Sequence, residues 1–136
     1  MREIRAFYNT NVLIAFLFKE EDRFPKAYRA LEEHGVKALS IISIHENHSY
    51  SIRYSVENKF MEIKRLLEEL FNVIGLNQDA CIIASQLRSS FNLPEVDSLI
   101  FASAIASRYD VFYTFDRDFE ALNGDVIEGV KVVFLK

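Results

Sequence analysis

Short apolar runs alternate along the chain with longer segments in which apolar residues recur at intervals of three and four. The runs at 4–8, 36–40, 71–76 and 109–114 are rich in aliphatic and aromatic residues, which favours strands, and a run at 131–135 predicts a short last strand. The segments between these runs have the spacing of amphipathic helices. Strands that alternate with helices predict an α/β fold with a mainly parallel sheet of four to five strands.

Polar side chains at the starts of the helical segments predict where the helices begin. The segment Asn9–Asn11 offers capping groups before the apolar run Val12–Phe18. Gly35 is expected to stop the helix that follows this run. The other expected starts are Asp22 for a helix over 22–34, Ser43 for one from Ile44, Asn58 for one reaching Leu70, Asn77 for one over 79–91, and Asp97-Ser98 for one over 99–107.

The composition is that of an ordinary globular chain and excludes several classes of protein. The 136 residues, half of them apolar, suffice for a single domain over 1–136 with its own core. There is no apolar run of about eighteen residues and no secretory signal, so we expect a cytoplasmic protein without a membrane span. Cys81, the only cysteine, has apolar neighbours and is predicted to be buried, and it excludes an internal disulfide.

Acidic side chains gather at one expected edge of the sheet. Asp116 and Asp118 follow the strand at 109–114, Asp97 opens a helix after a connector, and Glu46 lies early in its helix. In a parallel sheet, strand ends and the starts of the following helices meet at one edge, where ligands bind. Carboxylates crowded there repel one another, and a bound Mg²⁺ or Mn²⁺ relieves the repulsion. Such an ion suits phosphodiester hydrolysis, because it activates water and stabilises negative charge.

Local roles are the alternative interpretation of these acids. A carboxylate at a helix start is commonly a cap or a partner of the helix dipole. Ser43 and Glu46 also have the spacing of a capping box. The net charge of −4 argues weakly against a sequence-independent nucleic-acid binder, unless the acids are pooled in one cation-binding cavity.

Four segments, in order along the chain, carry a more specific signal. They are Tyr8-Asn9-Thr10-Asn11-Val12-Leu13-Ile14, Ser43-Ile44-His45-Glu46, Leu93-Pro94-Glu95-Val96-Asp97-Ser98-Leu99-Ile100-Phe101-Ala102-Ser103-Ala104 and Thr114-Phe115-Asp116-Arg117-Asp118-Phe119. Together they extend over nearly the whole chain. In order and spacing they resemble the PIN-domain family, and most closely the compact prokaryotic VapC-type toxins.

The resemblance implies a metal-dependent endoribonuclease with a three-layer α/β/α fold, which dimerises and is neutralised by a small antitoxin protein. On the family's pattern, Glu46, Asp97 and Asp116 are the catalytic residues and the ligands of Mg²⁺ or Mn²⁺. The remaining residues that the resemblance implies are Asp118 as an auxiliary acidic ligand, and Asn11 and Thr114 as polar supports of the site.

The chain departs from the family at Asn9, where the family has an aspartate. Asparagine offers a carbonyl oxygen but no charge, and its NH₂ group can donate to a neighbouring carboxylate. Asn9 is therefore a degenerate ligand position, and we expect the ribonuclease to be impaired as written. Restoring the aspartate is expected to give a clear gain of cleavage.

Two other functions fit parts of the pattern. A non-catalytic PIN domain, binding RNA or a partner through the same cleft, would not need an aspartate at position 9. A receiver-like or phosphatase-type protein would need that aspartate as phosphoacceptor, and Asn9 cannot serve.

His45 and His48 do not form a zinc protease motif, because they are three residues apart and that motif needs histidines four apart. Among the basic residues, Arg117 is the expected contact for an RNA phosphate because it adjoins Asp116.

Overall fold

In the computed structural model, which describes residues 2–136, six strands form one sheet. Numbered along the chain, they are β1 Arg5–Tyr8, β2 Val36–Ser40, β3 Asn72–Ile74, β4 Val111–Thr114, β5 Val126–Ile127 and β6 Val130–Phe134. Their order in the sheet is β3-β2-β1-β4-β6-β5, and every pair is parallel except β5 with β6. The predicted α/β fold with a mainly parallel sheet is confirmed, with one strand more than the sequence indicated.

The additional strand is β5, which the sequence pattern did not reveal. Its two residues are too few to show a period. A tight turn at Glu128 and Gly129 pairs β5 with β6, and both turn residues have positive φ, 50° and 88°. Two consecutive residues with positive φ are typical of the hairpin turn whose twist matches that of the strands, and glycine adopts this conformation without steric cost.

Over residues 2–136, six α-helices connect or flank the strands. They are α1 Thr10–Leu17, α2 Phe24–Glu32, α3 Ile41–Arg53, α4 Phe60–Leu70, α5 Gln78–Phe91 and α6 Glu95–Ala106. Short 3₁₀ helices at Glu57–Lys59 and Arg117–Leu122 precede α4 and follow β4. None of the helices found over residues 2–136 is both long enough and apolar enough to cross a membrane.

The strands bury both of their faces, which makes the fold three layers deep. Phe7 and Phe112 pack with side chains of α5 and α6 on one face of the sheet. Ala6 and Tyr8 pack with α1, α2 and α4 on the other. Neighbouring residues of a strand point to opposite faces, so β1 contributes to both cores. The α/β/α layering that the family resemblance implied is therefore present.

Two of the predicted helix starts are confirmed by their hydrogen bonds. Asn9 caps α1, because its Oδ1 accepts from the amide of Thr10 at 2.8 Å. Asn77 caps α5, because its Oδ1 accepts from the amide of Ala80 at 2.9 Å. Each of these asparagines stands where a side-chain oxygen can bind the otherwise unpaired amides of the first turn.

Other predicted starts were wrong by two to four residues. Ser40 rather than Ser43 caps α3, with its Oγ accepting from the amide of Ile42 at 3.1 Å. Asp22 lies outside α2, which is preceded by Arg23 and has a proline in its first turn. The last long helix begins directly after Pro94, so Asp97 lies within its first turn rather than before it. In each case the helix begins earlier or later than the nearest polar residue suggested.

The environment of Cys81 was also predicted wrongly. Its side chain is exposed, on the outer side of α5. Its apolar neighbours in sequence differ from one another in burial: Ala80 and Ala84 are buried, whereas Ile82 is exposed.

Candidate metal centre

A cleft of about 440 Å³ opens where β1 and β4 end and where α1, α3 and α6 begin. This is the edge at which the sequence predicted a ligand site. Three acids, Glu46, Asp97 and Asp116, contribute to its wall. The other lining residues are Asn9, Thr10, Asn11, Ile14, Ile42, His45, Ser49, Tyr50, Arg53 and Val96. We call this space the acidic cleft.

Three aspartates form the densest group of carboxylates in the described chain. One oxygen from each of Asp97, Asp116 and Asp118 lies within 4.8 Å of the other two. Asp116 is held in place by two bonds: its Oδ1 accepts from the amide of Asp118 at 2.9 Å, and its own amide donates to Thr114 Oγ1 at 2.9 Å. The turn after β4 therefore brings its two acids towards the first turn of α6.

Crowding and burial perturb the pKa values of these acids. Burial, followed by a hydrogen bond with Asp116 and the negative charges of its neighbours, raises the pKa of Asp97 to about 8. Burial acts in the same direction on Asp116, but hydrogen bonds with Asp97 and Asp118 outweigh it and lower its pKa. A hydrogen bond with Asp116 raises the pKa of Asp118. At neutral pH the cluster therefore retains a proton between Asp97 and Asp116, which a bound cation would displace.

Glu46 lines the same cleft but lies outside the group of three aspartates. Thr10 Oγ1 donates to Glu46 Oε1 at 2.5 Å and also lies 2.7 Å from Ser43 Oγ. Because Thr10 has a single hydroxyl proton and gives it to the carboxylate, Ser43 must donate to Thr10. A buried relay of two hydroxyl groups thus orients Glu46. A capping role for Glu46 is excluded, since α3 begins earlier and its cap is Ser40.

Asn9 is buried beside the acids, and both of its polar atoms already have partners. Its Oδ1 faces the amide of Thr10, which can only donate, so the orientation of the side-chain amide is settled. Its Nδ2 donates to Thr114 Oγ1 at 2.9 Å. The hydroxyl of Thr114 therefore accepts from both Asn9 and the amide of Asp116. Asn9 takes part in the framework of the site without adding charge to it.

The structure places the two expected supporting residues beneath the acidic turn. Thr114 is fully buried and links Asn9 to Asp116. Asn11 Oδ1 accepts from the amide of Phe115 at 3.1 Å, which joins the first turn of α1 to the same segment. Both side chains fix the backbone that carries Asp116.

Arg117 does not line the acidic cleft. Its side chain is 86% exposed and lines a second cleft on the other side of the turn. Arg53 is the one lysine or arginine among the residues described along the wall of the acidic cleft. Sequence reasoning gave Thr10 and Ser43 only helix-capping roles and named Arg53 only as one of several possible contacts for RNA phosphates. A signal for Arg53 was present in the sequence. Arg53 follows Glu46 by seven residues, which is about two helical turns, so both side chains lie on the same face of α3.

The donor set fits a hard divalent cation. All of the ligand atoms in the cluster are carboxylate oxygens, which Mg²⁺ and Mn²⁺ prefer over the nitrogen and sulfur donors typical of zinc sites. Burial is the main cause of the raised pKa of Asp97, and the unbalanced negative charges of Asp116, Glu46 and Asp118 add to it. A cation bound by Asp97, Asp116 and Asp118 would supply that balance.

Comparison with known proteins places the chain in a family. The family model described as the PIN domain matches residues 6–125. A toxin–antitoxin complex from Klebsiella pneumoniae is similar in structure, with 29% sequence identity, a TM-score of 0.70, and coverage of 92% of this chain and 94% of that one. Among curated proteins, none matches the sequence.

Two further solved structures share the fold at lower identity. VapBC2 from Rickettsia felis, bound to a DNA fragment from its promoter, has 15% identity and a TM-score of 0.73, and the match covers 98% of this chain and 100% of that one. The sarcin-ricin-loop-cleaving toxin VapC20 from Mycobacterium tuberculosis has 20% identity and a TM-score of 0.72, and the match covers 90% of this chain and 97% of that one. With the family model matching most of the sequence, the chain belongs to the PIN domain family, and the solved structures that it resembles are toxin–antitoxin proteins of the VapC type.

Proposed function

We propose that the chain is a metal-dependent endoribonuclease of the VapC toxin type, impaired by the neutral residue Asn9. One observation carries the proposal: three aspartate oxygens lie within 4.8 Å of one another, in a cleft that Glu46 also lines, in a PIN domain. A substrate phosphodiester adds further negative charge to such a site. A bound cation makes the combination favourable.

The side chains would divide the work of hydrolysis. A Mg²⁺ or Mn²⁺ ion held by Asp97, Asp116 and Asp118 would lower the pKa of a water molecule and stabilise negative charge on the phosphate. Asp97 would release its proton to serve as a ligand. Thr10 occupies Oε1 of Glu46 and leaves Oε2 to accept a proton from water, so Glu46 is the proposed base. Water would give a proton to Glu46 and add to phosphorus, the bond to the leaving oxygen would break, and that oxygen would take up a proton from solvent.

Asn9 limits this chemistry through charge rather than through shape. An aspartate at position 9 could accept from the Thr10 amide with one oxygen, as Asn9 does now, and turn the other towards the cleft. The Thr114 hydroxyl, which now accepts from Asn9, could rotate and donate to the new carboxylate. The substitution therefore adds a charge without loss of the local hydrogen bonds.

The test is cleavage of a structured RNA in the presence of Mg²⁺ or Mn²⁺ by four forms of the chain. We expect little or no cleavage by the chain as written and at least about a tenfold gain for Asn9→Asp. Adding Glu46→Gln to Asn9→Asp should abolish the gain. Adding Glu68→Gln, which removes an exposed carboxylate that pairs with Lys64 on α4, should leave the gain intact. A fully active double variant with Glu46→Gln would remove Glu46 from the proposed mechanism.

A second function is favoured by the hydrogen bonds of Asn9. Because both of its polar atoms are committed to Thr10 and Thr114, the site can be maintained as a binding surface without catalysis. In that case the chain would be a PIN domain that binds RNA or a partner protein. An Asn9→Asp variant that binds Mn²⁺ yet cleaves no member of a broad RNA panel would favour this function over the nuclease.

The proposed setting is that of the VapC-type toxins. We propose a single domain over 1–136 that acts in the cytoplasm, forms a homodimer and binds a small antitoxin protein. The similar solved structures are themselves toxin–antitoxin proteins, which supports an antitoxin partner. Light scattering of the purified chain tests the dimer, and a monomer at micromolar concentration would contradict it.

A further inference from the structure

A second cleft, of about 360 Å³, lies on the other side of the turn that carries Asp116. Four basic side chains line it, together with two acidic ones, although the chain as a whole has a net charge of −4. The basic residues are Arg23, Lys26, Arg117 and Lys136, and the acidic residues are Asp22 and Glu120. We call this space the basic cleft.

Two of the arginines are held next to the acidic cleft without being neutralised. The guanidinium carbon of Arg23 lies 5.0 Å from the ring centroid of Phe115, a buried residue directly before Asp116. This cation–π contact orients Arg23 and does not cancel its charge. Arg117 approaches Glu120 only to 3.8 Å and is 86% exposed, a geometry in which an ion pair contributes little. Both guanidinium groups therefore remain available to an anionic ligand.

The positive charge continues along the surface beyond the basic cleft. Lys26 and Leu135 also line an adjoining cleft that contains Arg29 and one acid, Glu33. Arg23, directly before α2, and Lys26 and Arg29, within it, follow one another at intervals of three, which places them on one side of the helix. They extend over ~9 Å along the helix axis.

The position of the basic cleft matters because an RNA strand approaching the aspartates is repelled by them. Cations that flank the acids offset this repulsion and raise the local concentration of the substrate. Arg53 lines the acidic cleft, and the basic cleft adjoins the acidic one at the turn formed by Phe115, Asp116 and Arg117. A strand that crosses the acidic cleft can thus continue onto the basic residues.

We propose that the basic cleft binds the phosphate backbone of an RNA strand next to the phosphodiester at the aspartates, with Arg23, Lys26 and Arg117 as the phosphate contacts. The choice of RNA rests on the proposed function, whereas the preference for a polyanion rests on the clefts themselves. Contacts to phosphate carry no sequence information, so the basic cleft positions the strand and does not select its bases.

The test is the salt dependence of RNA binding, measured with EDTA present so that no cleavage is required. The probe is a fluorescently labelled single-stranded RNA, followed by anisotropy over a range of salt concentrations. The full chain is compared with the triple variant Arg23→Gln, Lys26→Gln, Arg117→Gln. A control with the same loss of charge is Lys59→Gln, Lys64→Gln, Arg65→Gln, at and within α4.

Each phosphate contact to a single strand contributes about 0.7 to the slope of log affinity against log salt. For the triple variant in the basic cleft, the magnitude of the slope should therefore decrease by about 2, and the affinity for RNA at low salt should fall at least about tenfold. The control variant should keep most of the slope. Circular dichroism and the thermal midpoint check that each variant is folded. If the triple variant unfolds, Arg117→Gln alone, at an exposed position, should reduce the slope by about 0.7.

Three results would overturn the proposal. Slopes that fall equally in the two triple variants would mean that overall charge, not the basic cleft, governs binding. Absence of RNA binding by the unmodified chain at low salt would also refute it. Equal affinity for poly-glutamate of matched charge would assign the cleft to acidic protein segments. The outcome is separate from the nuclease test, because a chain that binds RNA in this way and cleaves none would disprove only the enzymatic function.

Discussion

The raised pKa of Asp97 gives the metal-free chain an unusual dependence of stability on pH. Burial and neighbouring acids raise this pKa from an ordinary 3.8 to about 8 in the folded chain. Between these values the folded chain retains a proton that the unfolded chain releases. Because the unfolded state then binds fewer protons, the free energy of unfolding falls as pH rises from about 4 to about 8. Substitution of Asp97 by asparagine, which does not titrate, should remove most of this dependence.

The expected size follows from the linkage relation. A full proton of difference corresponds to ~1.4 kcal/mol per pH unit. Asp97 is only partly buried and shares its proton with Asp116, so solvent and coupling reduce this figure. We expect a loss of about 1 kcal/mol between pH 5.5 and 7.5, where the lowered pKa values of Asp110 and Asp116 no longer contribute. For 136 residues this is about 3 to 4 °C in the thermal midpoint.

The assay is thermal unfolding followed by circular dichroism in EDTA, at constant ionic strength, across this pH range. The thermal midpoint of the unmodified chain should fall steadily as pH rises, and the midpoint of Asp97→Asn should fall by less than half as much. Glu69→Gln, a substitution at an exposed acid on α4, is the matched control and should behave like the unmodified chain. An equal decline in Asp97→Asn would refute the reasoning, since the dependence would then come from other groups.

Two further predictions concern stability away from the acidic cleft. Asp110 accepts from both terminal nitrogens of Arg2 at 2.8 and 2.9 Å and from the amide of Arg5 at 2.8 Å, and these contacts lower its pKa. Asp110→Asn should therefore cost about 1 kcal/mol in urea unfolding at pH 7, with the difference shrinking as pH falls below about 4; a constant difference would contradict this. Phe119 is fully buried against Phe101, and Phe119→Ala should cost about 3 to 5 kcal/mol in the same measurement.

The sequence predicted the layout of the fold well because its signals were local. The strand at 36–40 matches β2 residue for residue, and the asparagine caps of α1 and α5 were identified from their positions before apolar runs. The error at α3 arose where two polar residues competed for one cap. Ser40 ends β2 and caps α3, whereas Ser43 is buried and binds Thr10 instead. Only the three-dimensional contact between α1 and α3 distinguishes these roles.

The candidate site was predicted in outline for a similar reason. Parallel strands bring their carboxyl ends together, so acids that are distant in sequence were expected at one edge. Which of them meet was not predictable: Asp118 joins Asp97 and Asp116 in the cluster, and Glu46 stands outside it. The direction of the Arg117 side chain was not predictable either. Its neighbour Asp116 lines the acidic cleft, whereas Arg117 lines the basic cleft. Adjacent residues in a turn can point to opposite sides of it.

The central claim is that the acidic cleft is a metal centre that lacks one charge at position 9. Calorimetric titration of Mn²⁺ at pH 8.5, above the pKa of Asp97, tests it most directly. Asn9→Asp should bind Mn²⁺ at least about tenfold more tightly than the unmodified chain, a gain of ~1.4 kcal/mol. Adding Asp97→Asn should remove that gain. Equal affinities in the unmodified chain and in Asn9→Asp would contradict the claim, because position 9 would then lie outside the metal site.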